Sequence, residues 1–579
     1  MVKRMDKVDV VTVGVGWSGG IVASELSKAG FKVVGLERGA ESSVEDYVSS
    51  KDDVRYRQRL EMMEKLNKST FTTRRSIDEE ALPIRNKMSI KIGTDVGGGG
   101  SHWAAQTHRY FPYDFEIRSQ TIERYGEKKI PDWMTIQDWG ITYDELEPYY
   151  DTFEKTMGIS GEEDPLAAPR SSPYPTPPLK KTAVMRLFEE ATKKLGYHPF
   201  VIPGGTLSEK YENPDGQVIN ACQYCSFCER FGCDFGAKAD PVITVIPTAK
   251  ETGNFELRTH SEVKRVLYEG DKATGVLYVN TLTGEEYEQP ADVVVLTSYT
   301  FNNTKLLLLS EIGKPYDPKT GKGVIGKNFT DHHTSPGIKG LFKDRKFNRF
   351  ISTGMLGSVI TDFAADNFDH TDVDFIHGGH VEARESGNMP IETNITPEGT
   401  PSWGKEFKKE SLYYHNRHVS FFLQRASMPH KENYLDLDPT YKDDYGDPLL
   451  RITNDFTENE QKMDEFLLEK GDEIMKEMGA SETQLNYVEH FDGNLTYQHN
   501  SGGVIMGDDP ETSAVNNYMQ MWDMNNLFVC GASAFPHFGT SNPTLTLGAL
   551  TYRATEGIID YLNNGEGQLL KTESKEEKV

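Results

Sequence analysis

The sequence predicts an α/β fold in which a parallel sheet carries a nucleotide-binding unit, and three observations support this prediction. Residues 8–39 contain a strand, a glycine-rich turn, a helix and a second strand in direct succession. Two further apolar runs, VVVL at 293–296 and LFVCG at 527–531, are typical of strands that are buried on both faces of a parallel sheet. Helices with recognisable caps separate these strands, as an α/β fold requires.

The N-terminal unit has the glycine spacing of a dinucleotide-binding turn. Its elements are a strand at 10–13, a helix at 21–29 and a second strand at 32–36. Between the first strand and the helix, Gly14, Gly16 and Gly19 provide the tight turn, the close approach of a pyrophosphate and the close packing of the helix. Gly20 extends this small surface. The helix would point its N-terminal amides at the pyrophosphate, so the unit is Rossmann-like.

Glu37 ends the second strand about 20 residues beyond the glycines. A carboxylate at this place accepts hydrogen bonds from a ribose 2′-OH and repels a 2′-phosphate. The sequence therefore disfavours NADP and leaves FAD and NAD as candidate cofactors.

The elements beyond this unit are predicted from caps and periodicity. Thr142 with Glu145, and Thr457 with Glu460, form capping boxes that begin helices. The remaining predicted elements are a glycine-rich loop at 96–108, a proline-rich arm at 165–178, a helix at 182–195, sheet at 255–296, a turn and helix at 297–310, mixed strand and loop at 341–455, and a helix from Pro543 to about residue 563.

The composition excludes several classes of protein. With 579 residues the chain is long enough for two domains with large cores. Its 89 Asp and Glu against 63 Lys and Arg give a net charge of −26, and no basic run offers a nucleic-acid footprint. No apolar stretch reaches the ~18 residues of a membrane span, and the first strand begins too early for a signal peptide. We expect no nucleic-acid partner, no transmembrane segment and a cytoplasmic location, with co-export on a signal-bearing partner left open.

Several separated motifs together resemble one family of enzymes. They are the N-terminal unit, VGGGGSHW at 96–103, TSYTFNNTKLLLLS at 297–310, GKNFTDHH at 326–333 and GASAFPHFGTSNPTLTLGAL at 531–550. With these motifs the chain resembles the glucose-methanol-choline (GMC) family of FAD oxidoreductases. It looks most like the branch that contains the gluconate 2-dehydrogenase flavoprotein subunit, other sugar and polyol dehydrogenases, and pyranose oxidase.

The resemblance implies two domains that are interleaved along the chain. The first is a Rossmann-like FAD-binding domain assembled from discontinuous segments, and the second is an α+β substrate-binding domain with a mixed or antiparallel sheet. The implied bounds are 1–110, 215–335 and 490–563 for the FAD-binding domain, 111–214 for a connecting arm with helices, 336–489 for the substrate-binding domain and 564–579 for a disordered tail.

The resemblance also implies a catalytic pair. His499 in YQHNSGG stands where the family places the base that takes the hydroxyl proton, and histidine suits this task because its ordinary pKa is about 6.5. Asn542 in NPT stands where relatives carry a second histidine or an asparagine. Two simpler interpretations are that His499 satisfies a core backbone group and that Asn542 only caps the helix at Pro543. His537 either supports the site from behind or contacts substrate, with a position on a surface loop as the alternative, and His377 and His380 in HGGH line the site or cap loops.

Further cofactor contacts follow from the same resemblance. They are assigned to Gly98, Gly99, Ser101, His102, Trp103, Val263, Ala532, Asn542, Pro543 and Thr544. The stretch GGGGSHW resembles the segment through which pyranose oxidase binds its flavin covalently, so His102 is a candidate for a covalent bond to FAD. Noncovalent packing of His102 on the flavin edge is the alternative.

Four of the five cysteines lie within one short stretch, at Cys222, Cys225, Cys228 and Cys233. The C-x2-C-x2-C start matches the iron–sulfur run of bacterial ferredoxins, although the last gap is four residues and Asp234 replaces the usual proline. Some sugar dehydrogenases of the branch it resembles carry a three-iron cluster in a similar stretch. Zinc and free thiols remain alternatives, whereas disulfides fit a reducing cytoplasm poorly.

The sequence therefore predicts FAD-dependent oxidation of a sugar, aldonate or polyol hydroxyl. We expect electrons to pass to a protein or quinone acceptor, such as a cytochrome, and a small partner subunit is implied. An oxidase of the pyranose oxidase type that makes hydrogen peroxide is one alternative, and a flavin-bearing subunit without its own chemistry is another.

Overall fold

The structure is a computed structural model. It describes residues 2–47, 62, 63, 66, 70–85, 92–332, 336–385, 395–487, 499–565 and 567–570. About half of residues 42–80 and most of the predicted tail at 564–579 lie outside these residues, as do residues 490–498 of the third predicted FAD-binding segment.

The described residues form the following helices and strands. The helices are α1 Trp17–Lys28, α2 Gly99–His102, α3 Pro112–Phe115, α4 Ile117–Tyr125, α5 Tyr143–Met157, α6 Ala183–Lys194, α7 Val245–Glu251, α8 Thr300–Leu309, α9 Gly404–Tyr414, α10 Glu458–Glu477 and α11 Pro543–Asn564. The strands are β1 Lys3–Arg4, β2 Val8–Val13, β3 Val33–Leu36, β4 Thr72–Arg74, β5 Leu82–Pro83, β6 Phe200–Val201, β7 Tyr211–Glu212, β8 Val218–Ile219, β9 Phe255–Arg258, β10 Ser261–Glu269, β11 Lys272–Asn280, β12 Glu286–Leu296, β13 Thr330–Asp331, β14 Gly337–Leu341, β15 Gly357–Ile360, β16 Gly379–Arg384, β17 His418–Arg425, β18 Tyr434–Lys442, β19 Pro448–Thr453, β20 Glu482–Asn486, β21 Asn500–Ser501 and β22 Leu527–Val529.

The first large sheet contains the predicted nucleotide-binding unit. Its order is β10-β11-β12-β2-β3-β9, and β1 and β22 both pair with β12. Strands β22, β12, β2, β3 and β9 are parallel, with Val10 opposite Val33 and Val293. The apolar side chains of this core are almost fully buried because helices α1, α7 and α11 pack together beside the sheet. The sheet thus joins strands from three distant parts of the chain.

The second large sheet is antiparallel throughout and has the order β20-β14-β17-β16-β15-β6. Helices α6 and α10 pack against it, and their apolar side chains form a second core. Helix α10 begins at a capping box in which the Thr457 side chain accepts from the Glu460 backbone and the Glu460 carboxylate accepts from the Thr457 backbone, as predicted. The α/β fold with an added antiparallel sheet is therefore confirmed.

Two smaller pairings fix the position of the site. Strand β13 pairs with β21, so that Thr330 lies opposite Ser501 and Asp331 opposite Asn500. Strand β19 pairs with both β18 and β4. This pairing brings residues 72–74 against the β18–β19 hairpin, which lies between β17 and β20 in the sequence. No helix within the described residues combines the length and the apolar character that crossing a membrane requires.

Candidate active site

A cavity of about 650 Å³ runs from the N-terminal glycine turn to the start of α11. The predicted site residues that line it are Gly14, Gly16, Glu37, Gly98, Gly99, His102, Trp103, Val263, His499, Ala532, Asn542, Pro543 and Thr544. Residues far apart in the sequence therefore share one surface. The predicted residues Gly19, Gly20 and Ser101 lie behind this surface instead.

The glycine turn provides a cradle at one end of the cavity. Gly14 has a φ of +90°, which a side chain rarely adopts, and a Cβ on Gly19 would lie 2.0 Å from the Gly14 carbonyl oxygen. A Cβ on Gly20 would lie 2.6 Å from the Val245 side chain, so Gly20 allows α1 to pack on α7. Helix α1 starts after Gly16 without a side-chain cap, so its first amides face the cavity. This donor set fits a pyrophosphate.

Glu37 lies at the end of β3 and is 6 % exposed. Its carboxylate accepts hydrogen bonds from the backbone N–H groups of Val15 and Gly39, each at 3.0 Å. Burial raises the pKa of this carboxyl, and those two hydrogen bonds oppose the increase. The carboxylate is thus held in one orientation at the cavity wall, where the ribose of a dinucleotide would lie.

The second glycine run borders the middle of the cavity. Gly97 donates its N–H to the Val15 carbonyl at 2.7 Å, which ties the run to the first turn. Helix α2 then places His102, which is 6 % exposed, on the cavity wall. The Ser101 hydroxyl points inward and donates to Asp240 at 3.1 Å, and the Trp103 indole donates to the Ala239 carbonyl at 2.8 Å. Both glycine runs thus leave an open channel that fits a bound FAD.

His499 and Asn542 meet at the other end of the cavity. The Asn542 Nδ2 lies 3.5 Å from the His499 Nε2. Asn542 is the residue before α11, but its side chain makes no capping hydrogen bond. Its Oδ1 instead accepts from Gln424 Nε2 at 3.0 Å, and the same Gln424 nitrogen donates to the Thr540 carbonyl. Because the Thr540 carbonyl can only accept, the Gln424 atom that contacts it must be the amide nitrogen. That nitrogen also donates to Asn542, so the Asn542 atom on this side is Oδ1 and its Nδ2 faces His499.

Residues that the sequence analysis did not assign also reach this end. His332 lies with its ring 5.5 Å from the His499 ring, and its Nε2 is 2.6 Å from the Gly539 carbonyl. Burial and the nearby His499 lower the pKa of His332 well below its usual value, so the ring is neutral and donates from Nε2. Gln424 and Arg384 complete the wall. Of these three residues, only His332 lies in a motif that the sequence analysis used, GKNFTDHH, and no role was predicted for it.

The other histidines singled out by the sequence, His377, His380 and His537, do not line the cavity. Asp114 lies between two of them, with its Oδ1 2.8 Å from His377 Nε2 and 3.4 Å from His537 Nε2. The Trp139 indole donates to His537 Nδ1 at 3.2 Å. All of these side chains are fully buried or nearly so. This cluster stabilises the core beside the site rather than facing substrate.

The cysteine loop, residues 222–233, and the residues that follow it contact the cavity wall near His102. The Arg230 backbone N–H donates to the His102 carbonyl at 2.5 Å. Lys238 is completely buried, and its ammonium donates to the carbonyls of Trp103 and Cys228 at 2.9 Å and of Phe231 at 2.7 Å. The loop is therefore tied to the cofactor end of the cavity.

The thiols themselves are not arranged as a metal site. In the part of the chain that the structure describes, no group of three or more His, Cys, Asp or Glu side chains is placed to hold a metal ion. Cys222, Cys225, Cys228 and Cys233 are free cysteines. Burial, and then the neighbouring Cys228, raises the pKa of Cys222 to about 12. Burial raises the pKa of Cys228 to about 11, against the effect of Lys238.

Comparisons of the sequence with known proteins identify a family. Two models of the GMC oxidoreductase family match, the N-terminal one at residues 179–334 and the C-terminal one at residues 429–551. The chain is 40% identical to the gluconate 2-dehydrogenase flavoprotein of Pantoea cypripedii, over 97% of this chain and 95% of that protein. It is 26% identical to the fructose dehydrogenase large subunit of Gluconobacter japonicus, over 96% of this chain and 98% of that one.

A solved structure supports the fold alone. The formate oxidase of Aspergillus oryzae superposes with a TM-score of 0.61 at 15% identity, over 96% of this chain and 99% of that one. The family models and the relatives identify the family, and the glycine cradle and the cavity are consistent with it. The chain belongs to the GMC oxidoreductase family and is an FAD-dependent oxidoreductase that acts on CH–OH donors.

Proposed function

We propose that this enzyme oxidises a hydroxyl group of a carbohydrate or polyol, with His499 as the base and Asn542 as the group that orients the reacting oxygen. The observation that carries the proposal is the convergence of these two side chains, 3.5 Å apart, in the cavity that begins at the glycine cradle. The relatives named for gluconate and fructose support a polyhydroxylated substrate.

When bound in this cavity, FAD would supply the acceptor for the hydride of the substrate carbon. The protein side chains handle the proton and the oxygen. With Oδ1 held by Gln424, Asn542 directs its Nδ2 toward His499, so that both nitrogens can reach one substrate oxygen. The His499 Nε2 then accepts the hydroxyl proton as the carbonyl forms. An oxygen held by both groups is positioned before the reaction, which lowers the entropic part of the barrier.

The start of α11 supports the same chemistry. Pro543, Thr544 and Leu547 line the cavity, so the first turn of this 22-residue helix faces it. Because the Asn542 side chain makes no capping bond, the helix N-terminus remains available to the cavity. The positive end of a helix favours negative charge by about 0.3–1 kcal/mol or more where it is partly buried.

An anaerobic substrate panel tests the proposed function. We expect at least one of gluconate, glucose, fructose and sorbitol to remove the visible absorbance of the bound flavin when mixed with the holoenzyme without oxygen. If none of these compounds, and no other sugar or polyol, bleaches the flavin, the proposal is wrong and a subunit without its own chemistry is favoured.

The same panel in air tests the electron acceptor. We propose a protein or quinone acceptor and a small partner subunit, and the description of one relative as a large subunit supports such an assembly. Turnover with a quinone should therefore be much faster than with oxygen alone. Stoichiometric hydrogen peroxide in air would instead identify an oxidase of the pyranose oxidase type.

We further propose two finer features of the cofactors: a covalent bond from His102 to FAD, and an iron–sulfur cluster at Cys222, Cys225, Cys228 and Cys233. The burial of His102 on the cavity wall supports the first, and the ferredoxin-like spacing supports the second. Among the described residues, these four thiols do not converge as metal ligands.

One preparation of purified protein tests both features. After acid precipitation, a covalent flavin stays yellow in the pellet, whereas flavin in the supernatant contradicts the bond. Metal analysis should find three or four iron atoms per flavin. Active protein without iron would exclude the cluster, and zinc in place of iron would assign the thiols to a structural site.

A further inference from the structure

A single arginine side chain carries positive charge into the substrate end of the cavity. Arg384 is the last residue of β16 and lines the cavity beside Phe422 and Gln424 of the neighbouring strand β17. Its guanidinium carbon lies 4.7 Å from the centre of the Phe422 ring. Its Nη1 donates to the Gln106 Oε1 at 3.2 Å. The described part of the chain places no carboxylate at ion-pair distance from this guanidinium.

The amide of Gln106 is held in the orientation that supports Arg384. Its Nε2 donates to the Glu382 Oε1, so its own oxygen must face the guanidinium. His380 holds the same Glu382 oxygen, with its Nε2 at 2.9 Å. The chain of contacts from His380 through Glu382 and Gln106 to Arg384 thus fixes Nη1 of the arginine, whose side chain lines the cavity.

The carboxylate that interacts electrostatically with Arg384, that of Glu382, lies behind the cavity wall. Glu382 is fully buried and does not line the cavity. Burial raises the pKa of Glu382, but His380, Arg384 and His108 outweigh burial and hold this pKa at about 2. Its negative charge therefore lies behind the wall. Arg230, another cation that lines the cavity, has the Glu229 carboxylate 3.4 Å from its Nε.

From this geometry we infer that Arg384 binds the carboxylate of the substrate, and that the preferred substrates are polyhydroxy acids such as aldonates rather than neutral sugars. The inference rests on the proposed function. A guanidinium offers a planar fork that matches a carboxylate, whereas a neutral hydroxyl needs only an amide or a backbone group. A chain with a net charge of −26 repels anions at long range, so binding an acid requires such a local cation.

The experiment compares matched acid and neutral substrates on two holoenzyme variants. Wild type, Arg384→Gln and Arg384→Lys are assayed with gluconate and with its uncharged amide, gluconamide, and with sorbitol. Losing a charge-assisted hydrogen bond to the carboxylate should lower kcat/KM for gluconate by about 10- to 150-fold in Arg384→Gln. The values for gluconamide and sorbitol should change by less than about threefold. Arg384→Lys should recover part of the gluconate activity because it keeps the charge but not the fork.

Arg118→Gln is the matched control. Arg118 lies on α4 with 47% of its side chain exposed, and it should leave the ratio of acid to neutral activity unchanged. The flavin content of each variant is read from its visible spectrum, so that loss of folding is not mistaken for loss of recognition. An Arg384→Gln enzyme with equal losses on gluconate and on the neutral compounds would assign the arginine to packing on Phe422 and overturn the inference.

Failure of the inference differs from failure of the proposed function. If the wild-type enzyme oxidises sugars and polyols but Arg384→Gln leaves the acid-to-neutral ratio unchanged, the carboxylate assignment alone is wrong. If no compound of either kind reduces the wild-type flavin, the function itself is wrong.

Discussion

His499→Ala is expected to slow reduction of the bound flavin by substrate by about 10²- to 10⁴-fold, the usual contribution of a general base. The His499 Nε2 lies 3.5 Å from the Asn542 Nδ2, and both residues line the cavity. The FAD should stay bound, because the cradle at Gly14 and Gly16 lies at the opposite end of the cavity. Anaerobic stopped-flow measurement of flavin absorbance reads the rate, and the visible spectrum reads the flavin content.

His198→Ala is the matched control for this variant. Its imidazole is 51% exposed, contacts Asp362 at 2.8 Å and does not line the cavity. It should reduce its flavin at the wild-type rate. If His499→Ala also keeps rapid reduction, the assignment of His499 as base must be abandoned, even though the family and the fold would stand.

His332 is a second imidazole beside His499, with a ring separation of 5.5 Å, and its contacts differ from those of His499. Its Nε2 donates to the Gly539 carbonyl, and burial with the nearby His499 depresses its pKa. The backbone N–H of His332 also donates to the His499 carbonyl at 3.1 Å. His332 therefore helps to position His499 through the β13 and β21 pairing, which is a structural role beside the reacting oxygen.

The nucleotide half of the site could be predicted from the sequence because its parts are local. The turn, the helix and the carboxylate of Glu37 all fall within one stretch of about 30 residues, and each follows from a residue type at a fixed offset. The caps at Thr142 and Thr457 were predictable for the same reason. His499 and Asn542 depended on the family resemblance, since nothing near either residue brings the two together.

The substrate half could not be predicted from the residues, because sheet pairing assembles it. Gln424 lies opposite His380, and Phe422 lies opposite Glu382, only after β16 and β17 pair in this register. In HVSFFLQR the glutamine is indistinguishable from any polar residue that alternates along a strand. The HGGH motif drew attention to His377, but its partner Asp114 comes from a distant short helix and directs it into the core.

Gly19→Ala is expected to produce protein that binds FAD about 5- to 150-fold more weakly, on the usual cost of forcing one methyl group into a packed site. A Cβ at this position would lie 2.0 Å from the Gly14 carbonyl oxygen and 3.0 Å from the Thr297 Oγ1. Neither neighbour can yield easily, because the Thr297 hydroxyl donates to that same Gly14 carbonyl at 2.7 Å. Titration of the apoprotein with FAD, followed by flavin fluorescence, measures the change; with a covalent flavin, the flavin content of the purified protein replaces the titration.

Gly337→Ala is the matched control, because it adds the same methyl group at a glycine outside the nucleotide-binding turn. Gly337 lies in β14 of the antiparallel sheet, and an added Cβ would meet only the Phe421 carbonyl at 3.5 Å, an ordinary contact. This variant should bind FAD as the wild type does. To admit the methyl group at position 19, α1 must move away from β2 or the turn at Gly14 must open, and either change displaces the first amides of α1 from the cavity. Wild-type FAD affinity in Gly19→Ala would therefore mean that those amides do not hold the pyrophosphate.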